Sequence, residues 1–355
     1  MRNLKWTTLM GLMAMACSGG SDTDSETKDT GTDIDDSAFA EYINVEVAPT
    51  GDFGDFAGCQ SFADCEWASP SVDSSHQQTV EMTGQVLDFE TDDAVPDATL
   101  EIWFSDEVAG PSDLEVVSDS SGNVSAALDT CSPMALLVST DPLLEETKPT
   151  YEFHAVYGHQ EDGVLSGEEF NSVSEITYRI IPSLLGVSPD PTRGIAAGTA
   201  YDSTGAKIEG AQVIVRNADD GSIQDGVVVK YFIDDFPNRN QPYTSADGLW
   251  VAINLPEGTS LVEMWVSDGA GGHPLMGATV IDVIADSINV ASTYTGIGDG
   301  VNYPDSCLEG GSSGGGVDTG TGVDTGTGVD TGASTGGDTG TAAGDTGSVG
   351  DEDAG

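Results

Sequence analysis

Basic residues are scarce in this sequence. Ten Lys and Arg stand against 61 Asp and Glu, and the formal net charge is −51. A chain of this kind is excluded from the usual nucleic-acid-binding classes, which need clustered Lys and Arg for the phosphates. The same scarcity argues against a polybasic contact with anionic lipid. Much of the acidic excess lies in linker-like segments, which indicates a solvated, self-repelling surface.

Long apolar runs are also missing. The N-terminal run Leu9–Ala16 follows Arg2 and Lys5. It is too short to span a bilayer but is typical of a signal-peptide core. The residues that end it, Ala14-Met15-Ala16-Cys17, resemble a bacterial lipobox, and the resemblance implies cleavage before Cys17 and diacylation of its thiol. Ala14 stands where Leu is usual, and an ordinary Ala-x-Ala signal peptide is the alternative.

An acyl anchor on Cys17 would place the protein in the cell envelope. Ser18 follows Cys17, and in lipoproteins of diderm bacteria this residue fits sorting to the outer membrane. Two or three acyl chains give a stable attachment, since each buried methylene adds about 0.8 kcal/mol. We therefore expect a lipid-anchored outer-membrane protein whose first partner is the bilayer. A secreted protein is the alternative.

The chain has only five cysteines. If Cys17 is lipidated, four remain, and an even number in an exported chain suggests two disulfides. Cys59 and Cys65 are close enough to close a short loop, which would leave Cys131 to pair with Cys307, but the other pairings remain open. A zinc site is disfavoured because no second Cys-x-x-Cys or His pair completes a tetrahedral set.

Short alternating strands are abundant. Between 249 and 255 the apolar residues Leu249, Val251, Ile253 and Leu255 occur at every second position, as in a strand with one apolar face. The series at 211–215 and 262–266 show the same period. Turn glycines separate these runs, at Gly205, Gly210, Gly248 and Gly258. Strands and turns at this spacing predict an antiparallel sandwich.

One stretch carries a family resemblance. Its residues are Gly198, Asp202-Ser203-Thr204-Gly205, Ile208-Glu209-Gly210-Ala211-Gln212-Val213, Thr244, Asp247-Gly248-Leu249-Trp250 and Leu255-Pro256-Glu257-Gly258. The pattern resembles the carboxypeptidase regulatory-like domain, which implies a transthyretin-like (prealbumin-like) sandwich of seven strands. It consists of turn glycines and core positions, so it implies fold rather than function. Glu209 departs from the usual Pro, and 221–243 is longer and more acidic than in the family.

A weaker copy of this pattern lies earlier in the chain. Val95-Pro96-Asp97-Ala98-Thr99-Leu100 matches 208–213, with Asp97 where Gly is expected, and Ser118–Val124 matches 245–249. The two copies suggest an internal repeat of two diverged sandwiches.

The residues between the copies contain a helix signal. Ser172 and Glu175 have the spacing of a capping box. One helical face is apolar and consists of Val173, Ile176, Ile180 and Leu184. Pro182 should kink or end the helix, and Gly186 should close it. We expect a short connector helix that packs between the domains.

The predicted fold class is all-β, with two antiparallel Ig-like or prealbumin-like sandwiches, a short helical connector, and disordered N- and C-terminal segments. The predicted boundaries are a signal peptide at 1–17, an acidic tether at 18–38, a first sandwich with a Cys-containing extension at 39–157, a connector at 158–193, a regulatory-like sandwich at 194–308, and a Gly/Thr/Asp tail at 309–355. The aromatic residues of the extension suggest that it packs onto the first sandwich.

Two catalytic patterns occur in unsuitable surroundings. Aspartic proteases use Asp-Thr-Gly in a buried site, and Gly311–Gly315 has the spacing of a nucleophile elbow. All of these motifs lie in segments that lack flanking apolar strands. The Asp-Thr-Gly copies begin at Asp29, Asp318, Asp324, Asp330, Asp338 and Asp345. We assign neither pattern a catalytic role.

Two metal-binding patterns are incomplete. Asp162 and Glu169 resemble the second half of an EF-hand loop, but the first ligand positions cannot supply carboxylates, which leaves at most a weak Ca²⁺ contact. A related sandwich, that of intradiol dioxygenases, holds iron with two Tyr and two His. The matching residue types here are Tyr151, His154, Tyr157 and His159. On one strand both tyrosines point away from His154, so the set is not expected to converge.

The sequence therefore predicts a non-catalytic envelope protein without a cofactor. It would act as a surface display, adhesion or protein- or glycan-binding module through sandwich loops or an edge strand. The alternatives are a metal-dependent enzyme near Tyr151, His154 and His159, and a Ca²⁺-binding envelope spacer. The oligomeric state is not specified by the sequence.

Overall fold

The structure is a computed structural model that describes residues 36–310 apart from Pro142 and 144–146. The helices are α1 (Asp36–Tyr42) and α2 (Glu175–Leu185). The strands in chain order are β1 (Thr79–Asp88), β2 (Thr99–Trp103), β3 (Leu114–Val117), β4 (Asn123–Asp129), β5 (Met134–Ser139), β6 (Thr147–Lys148), β7 (Thr150–Ala155), β8 (Val164–Ser174), β9 (Gly194–Tyr201), β10 (Ala211–Asn217), β11 (Val228–Ile233), β12 (Phe236–Asn238), β13 (Leu249–Leu255), β14 (Gly258–Val266), β15 (Leu275–Val283), β16 (Ile288–Val290) and β17 (Thr293–Tyr294).

Several predictions fall on other parts of the chain. The signal peptide, Cys17, nearly all of the tether, the Asp-Thr-Gly copies and the tail from 311 onward lie outside the described residues. Within 36–310, no helix combines the length and apolar character that a membrane crossing needs.

The strand pairing repeats in the two halves of the molecule. In the first half β1 pairs with β4, and in the second half β9 pairs with β13. The strand order β2-β5-β7 of the first half corresponds to the order β10-β14-β15 of the second. The matched turn positions Asp97 and Gly210 both have positive φ, at 57° and 94°. Aspartate is one of the few residues with a side chain that tolerate this region. The expected β-sandwich class is confirmed.

One long sheet runs through both halves. Its order is β12-β11-β13-β9-β16-β7-β5-β2-β3, and β17 also pairs with β9. β16 joins the halves, because it pairs in parallel with both β7 and β9. The two sandwiches therefore share a sheet instead of forming separate antiparallel units. β1 and β8 form a further parallel pair.

Both faces of the long sheet are covered. On one face, the sheet β4-β1-β8-β6 packs on the first half and α2 packs on the second half. On the other face, Val213 and Val262 of the sheet β10-β14-β15 share a core with Leu137 and Phe153 of the first half. This double coverage explains why every residue of 249–253 is buried, although the alternation predicted a single apolar face.

Strand β8 occupies much of the segment assigned to a connector. It pairs with β1, and Leu165 and Phe170 enter the first core. The ladder shifts register between Thr83 and Gly84. Because a bulge breaks the period of two, the buried positions 165, 168 and 170 do not alternate regularly.

The N-terminal extension packs on the second sandwich, and the expectation that it packs on the first is wrong. Phe39 meets Trp265 edge-on, with ring centroids 4.7 Å apart. The Gln212 side chain accepts a hydrogen bond from the backbone N–H of Asn44. We call residues 36–71 the N-terminal strap; the residues that follow it reach the first half, where the Gln77 side chain donates to the Cys131 carbonyl oxygen. Aromatic content indicates that a segment packs, but it does not specify the surface.

Two disulfides connect these parts. Cys59 is bonded to Cys65 within the strap, and Cys131 is bonded to Cys307. The second bond attaches the end of the described chain to the first half. The sequence left several pairings open, and the structure contains the one that joins Cys59 to Cys65 and Cys131 to Cys307.

Candidate functional site

A cavity lies between α2 and the long sheet. Its volume is about 370 Å³, within the range of about 300–1,000 Å³ for small-molecule sites. The sheet contributes an apolar floor made of Leu136, Ile195, Ala197, Val251, Ile288 and Val290. A wall of this kind suits a ligand with a substantial apolar part.

Three exposed apolar side chains mark the mouth of the cavity. Ile180, Leu184 and Phe236 line it and are 46%, 53% and 70% exposed. Ile176 extends the exposed stripe by one helical turn. This face of α2 was expected to pack between the domains, and that prediction is wrong. The face that carries Tyr178 is the buried one, and exposed apolar groups grouped in this way mark interaction sites.

The start of α2 is fixed by hydrogen bonds at one wall of the cavity. Ser174, not Ser172, is the N-cap, and its Oγ accepts from the backbone N–H of Thr177 at 3.1 Å. The Thr177 hydroxyl donates to Oε2 of Glu90 at 2.5 Å. Glu90 is thereby held against the helix at the rim of the cavity.

The end of α2 is fixed to the β12 hairpin. Pro182 lies within the helix, and Gly186 closes it with a φ of 81°, as expected. The Arg239 guanidinium donates to the carbonyl oxygen of Leu184 at 3.0 Å. This bond attaches the helix to the residues that follow Phe236, and so it sets the distance across the mouth.

The charged residues that line the cavity are all acidic: Glu90, Glu152 and Asp235. Glu152 is half-buried on β7, directly opposite Leu136 of β5 and Val290 of β16. Its carboxylate therefore rises from the apolar floor.

Tyr178 contributes a buried phenol to the wall. It is 6% exposed, and among the described residues its Oη has no hydrogen-bond partner. Burial, followed by the carboxylates of Asp286 and Glu175, raises the pKa of Tyr178 to about 12. The phenol therefore stays protonated at neutral pH. The Nζ atom of Lys148 lies 4.8 Å from the ring centroid, at cation–π distance.

A second polar cluster surrounds His154. This residue has a φ of 62° and is 5% exposed. Its Nε2 lies 2.7 Å from the Val280 carbonyl oxygen, and its Nδ1 lies 3.5 Å from Oδ2 of Asp106. The close contact with the His154 ring lowers the pKa of Asp106, against the opposing effect of burial. The cluster ties β7 to β15.

The other residues of the suggested iron set lie apart. Tyr151 stacks on Phe153, Tyr157 belongs to the first core, and His159 stacks on His76 at a centroid distance of 4.7 Å. Within the described part of the chain, no group of three or more His, Cys, Asp or Glu could hold a metal ion. The structure does not bring the four residues together.

The weak Ca²⁺ candidates are also separated. Oδ1 of Asp162 accepts from the Val164 N–H at 3.1 Å and so shapes the turn before β8. Glu169 lies on β8, opposite Gln85 of β1. One residue belongs to a turn and the other to a sheet, and they do not form a site.

The cavity was not predicted from the sequence. The available signal was an α2 helix that is apolar on two faces, because Tyr178, Ile181 and Leu185 lie opposite the stripe that contains Ile180 and Leu184. A helix that is apolar on both sides has one face more than a single sheet can cover.

Comparisons with known proteins give no family. No protein-family model matches the chain, and no curated protein matches it. The shaft pilin SpaA from Lactobacillus rhamnosus GG aligns at 11% identity over 61% of this chain and 98% of the pilin, with a TM-score of 0.20. A hydroxyquinol 1,2-dioxygenase from Pseudomonas putida DLL-E4 aligns at 13% identity over 39% of this chain and 71% of the enzyme, with a TM-score of 0.19. TM-scores this low carry no functional argument.

Proposed function

We propose that this chain is a non-catalytic binding protein of the cell surface, and that the cavity beneath α2 is its binding site for an apolar group. The observation that carries the proposal is the cavity of about 370 Å³ with the exposed residues Ile180, Leu184 and Phe236 at its mouth. Function is argued from the site because a sandwich fold does not determine an activity.

The proposal differs from the sequence expectation in the place of binding. Loops or an edge strand were expected to bind a protein or glycan. A largely aliphatic wall favours an apolar ligand over a glycan, because sugar hydroxyls would lose their water without gaining partners. Attachment through Cys17 and sorting to the outer membrane belong to the same proposal, as does kinship with the carboxypeptidase regulatory-like family. They are supported by the sequence motifs described above.

The test uses the full chain with Cys17→Ser, so that detergent is not needed. Binding of the neutral fluorescent probe N-phenyl-1-naphthylamine is measured by its emission on titration. The Ala197→Phe variant fills the floor of the cavity, and Leu184→Trp narrows the mouth from an exposed position. We expect one saturable site that either change weakens at least tenfold.

The matched control is Val117→Phe, which adds the same ring as the filling variant at a position 57% exposed and outside the cavity. Overpacking a core can itself destabilise a protein by about 1–3 kcal/mol. Thermal unfolding of each variant therefore accompanies the titrations, and Leu184→Trp should unfold like the parent. Unchanged probe affinity in both cavity variants would show that the cavity is not the binding site.

A further inference from the structure

The charges of the cavity specify the ligand further. We infer that the ligand is a molecule with an apolar chain or ring and a protonated amine. This inference rests on the proposed binding site. The inference depends on the signs of the charges that line the cavity, on the place of Glu152 in the floor, and on the buried phenol of Tyr178.

The lining residues carry charge of one sign only. Glu90, Glu152 and Asp235 line the cavity, and the described residues that line it include no Lys, Arg or His. A carboxylate or phosphate entering this space would lose its water and meet like charges, which disfavours fatty acids and phosphate-headed lipids. A cation with an apolar body meets opposite charges and an apolar wall.

Glu152 is the inner charge of the cavity. It lies on a central strand of the long sheet, between Leu136 and Val290 on the neighbouring strands. A carboxylate among apolar residues attracts a cation more strongly than an exposed one, because the surroundings screen the charge less. Glu152 already interacts within the protein, and the ligand cation would add to these interactions.

Tyr178 is a second, independent sign of a polar group in the ligand. Its Oη is buried and without a hydrogen-bond partner among the described residues, and a buried polar group of this kind is unusual. Its oxygen can accept a hydrogen bond from an ammonium group. The Lys148 cation lies 4.8 Å from the ring centroid, but it is paired with the carboxylates of Glu175 and Asp286, which offset its charge.

The basic side chains nearest the cavity are directed elsewhere. Lys148 pairs with Glu175 and Asp286. Arg179 pairs with Glu175 on the surface of α2. The guanidinium of Arg239 is bonded to backbone carbonyls at the end of α2. These groups therefore leave the acidic character of the lining unchanged.

The test compares probes that share one apolar tail and differ in the head group. Decylamine, decanol and decanoate are titrated by calorimetry into the full chain with Cys17→Ser, at neutral pH and high salt. High salt suppresses adsorption of the amine to the acidic surface, because exposed charges are screened much more than buried ones. We expect decylamine to bind at least tenfold more tightly than decanol, and decanoate to bind more weakly than both.

Glu152→Gln should weaken decylamine binding much more than decanol binding and so remove most of the preference for decylamine. Glu169→Gln is the matched control, because Glu169 is exposed on β8 and outside the cavity. Equal affinities for decylamine and decanol would overturn the inference about charge. So would a decylamine preference that Glu152→Gln does not reduce, since this indicates surface adsorption.

These outcomes are separable from failure of the proposed function. If decanol binds and Ala197→Phe abolishes its binding, the cavity remains a binding site whatever the effect of charge. If none of the three probes binds in a way that depends on Ala197, both the binding site and the inferred ligand class are wrong.

Discussion

Cys131 is covalently bonded to Cys307, a residue 176 positions further along the chain. The bond closes a loop that contains β7, α2 and the whole second half. Cross-links of native loops typically stabilise by about 2–4 kcal/mol, with larger values for longer loops. We expect Cys131→Ser with Cys307→Ser to lower the free energy of unfolding by about 2–5 kcal/mol, measured by denaturant titration without reductant.

Cys59→Ser with Cys65→Ser should lower the free energy of unfolding by a smaller amount, since these residues are only 6 apart. Equal losses for the two pairs would contradict this account.

The contact between Asp106 and His154 predicts a pH dependence. The folded-state pKa of Asp106 is lowered from 3.8, mainly by its contact with the His154 ring. A carboxyl group whose pKa is lower in the folded state stabilises the fold above its unfolded pKa, and this contribution is lost as the pH falls through the folded pKa. Asp106→Asn should therefore lower the Tm at pH 6, and the difference from the parent should vanish well below pH 3.8. Glu107→Gln, an exposed neighbour, should change the Tm little at either pH. A constant difference between parent and Asp106→Asn across this range would exclude the linkage.

Arg216 and Glu263 form a buried ion pair on the face of β10 and β14 beneath the N-terminal strap. Their Nε and Oε2 atoms are 2.8 Å apart, and the side chains are 7% and 3% exposed. Burial raises the pKa of Glu263, and the Arg216 charge opposes this rise. Removing one partner of such a pair typically costs about 3–5 kcal/mol, whereas replacing both by apolar residues is often close to neutral. Arg216→Met should therefore destabilise strongly, and adding Glu263→Met should recover most of the loss in denaturant unfolding. If the double variant is less stable than Arg216→Met, Glu263 stabilises the fold without Arg216, through the hydrogen bond that it accepts from Trp265 Nε1, and this account is wrong.

The attachment of the strap to the second sandwich can be tested at Gln212. Its Oε1 accepts from the N–H groups of Asn44 and Val45, and its Nε2 donates to the carbonyl oxygen of Tyr42 at 2.9 Å. Gln212→Leu removes these bonds and keeps the volume of the side chain. We expect faster amide hydrogen exchange in 36–46, with protection of β9 and β13 unchanged. Gln85→Leu, on β1, is the control and should leave the strap protected. Unchanged exchange in 36–46 would show that aromatic packing alone holds the strap.

The strands, the turns and the pairing of equivalent segments could be predicted because they are local features. The alternation around Val251 marks β13. Asp97 and Gly210 occupy matching turns in the two copies of the pattern, and both turns have positive φ. The joint between the halves could not be predicted. It depends on the three residues Ile288–Val290, which are too few to show a period. The buried face of α2 was also not decided by the sequence, because the helix is apolar on both sides and only the tertiary structure selects one.

The position of β16 bears on how the chain is made. Thr150 of β7 takes Ile288 as its parallel neighbour, so during synthesis the middle of the long sheet stays open until almost the last described strand has emerged. Until then, β7 presents an unpaired edge of the kind that associates with other chains. Pairings between residues so distant in sequence also form slowly. A fragment that ends after the first half therefore exposes the β7 edge to other chains, and we expect it to be more prone to aggregation than the full chain.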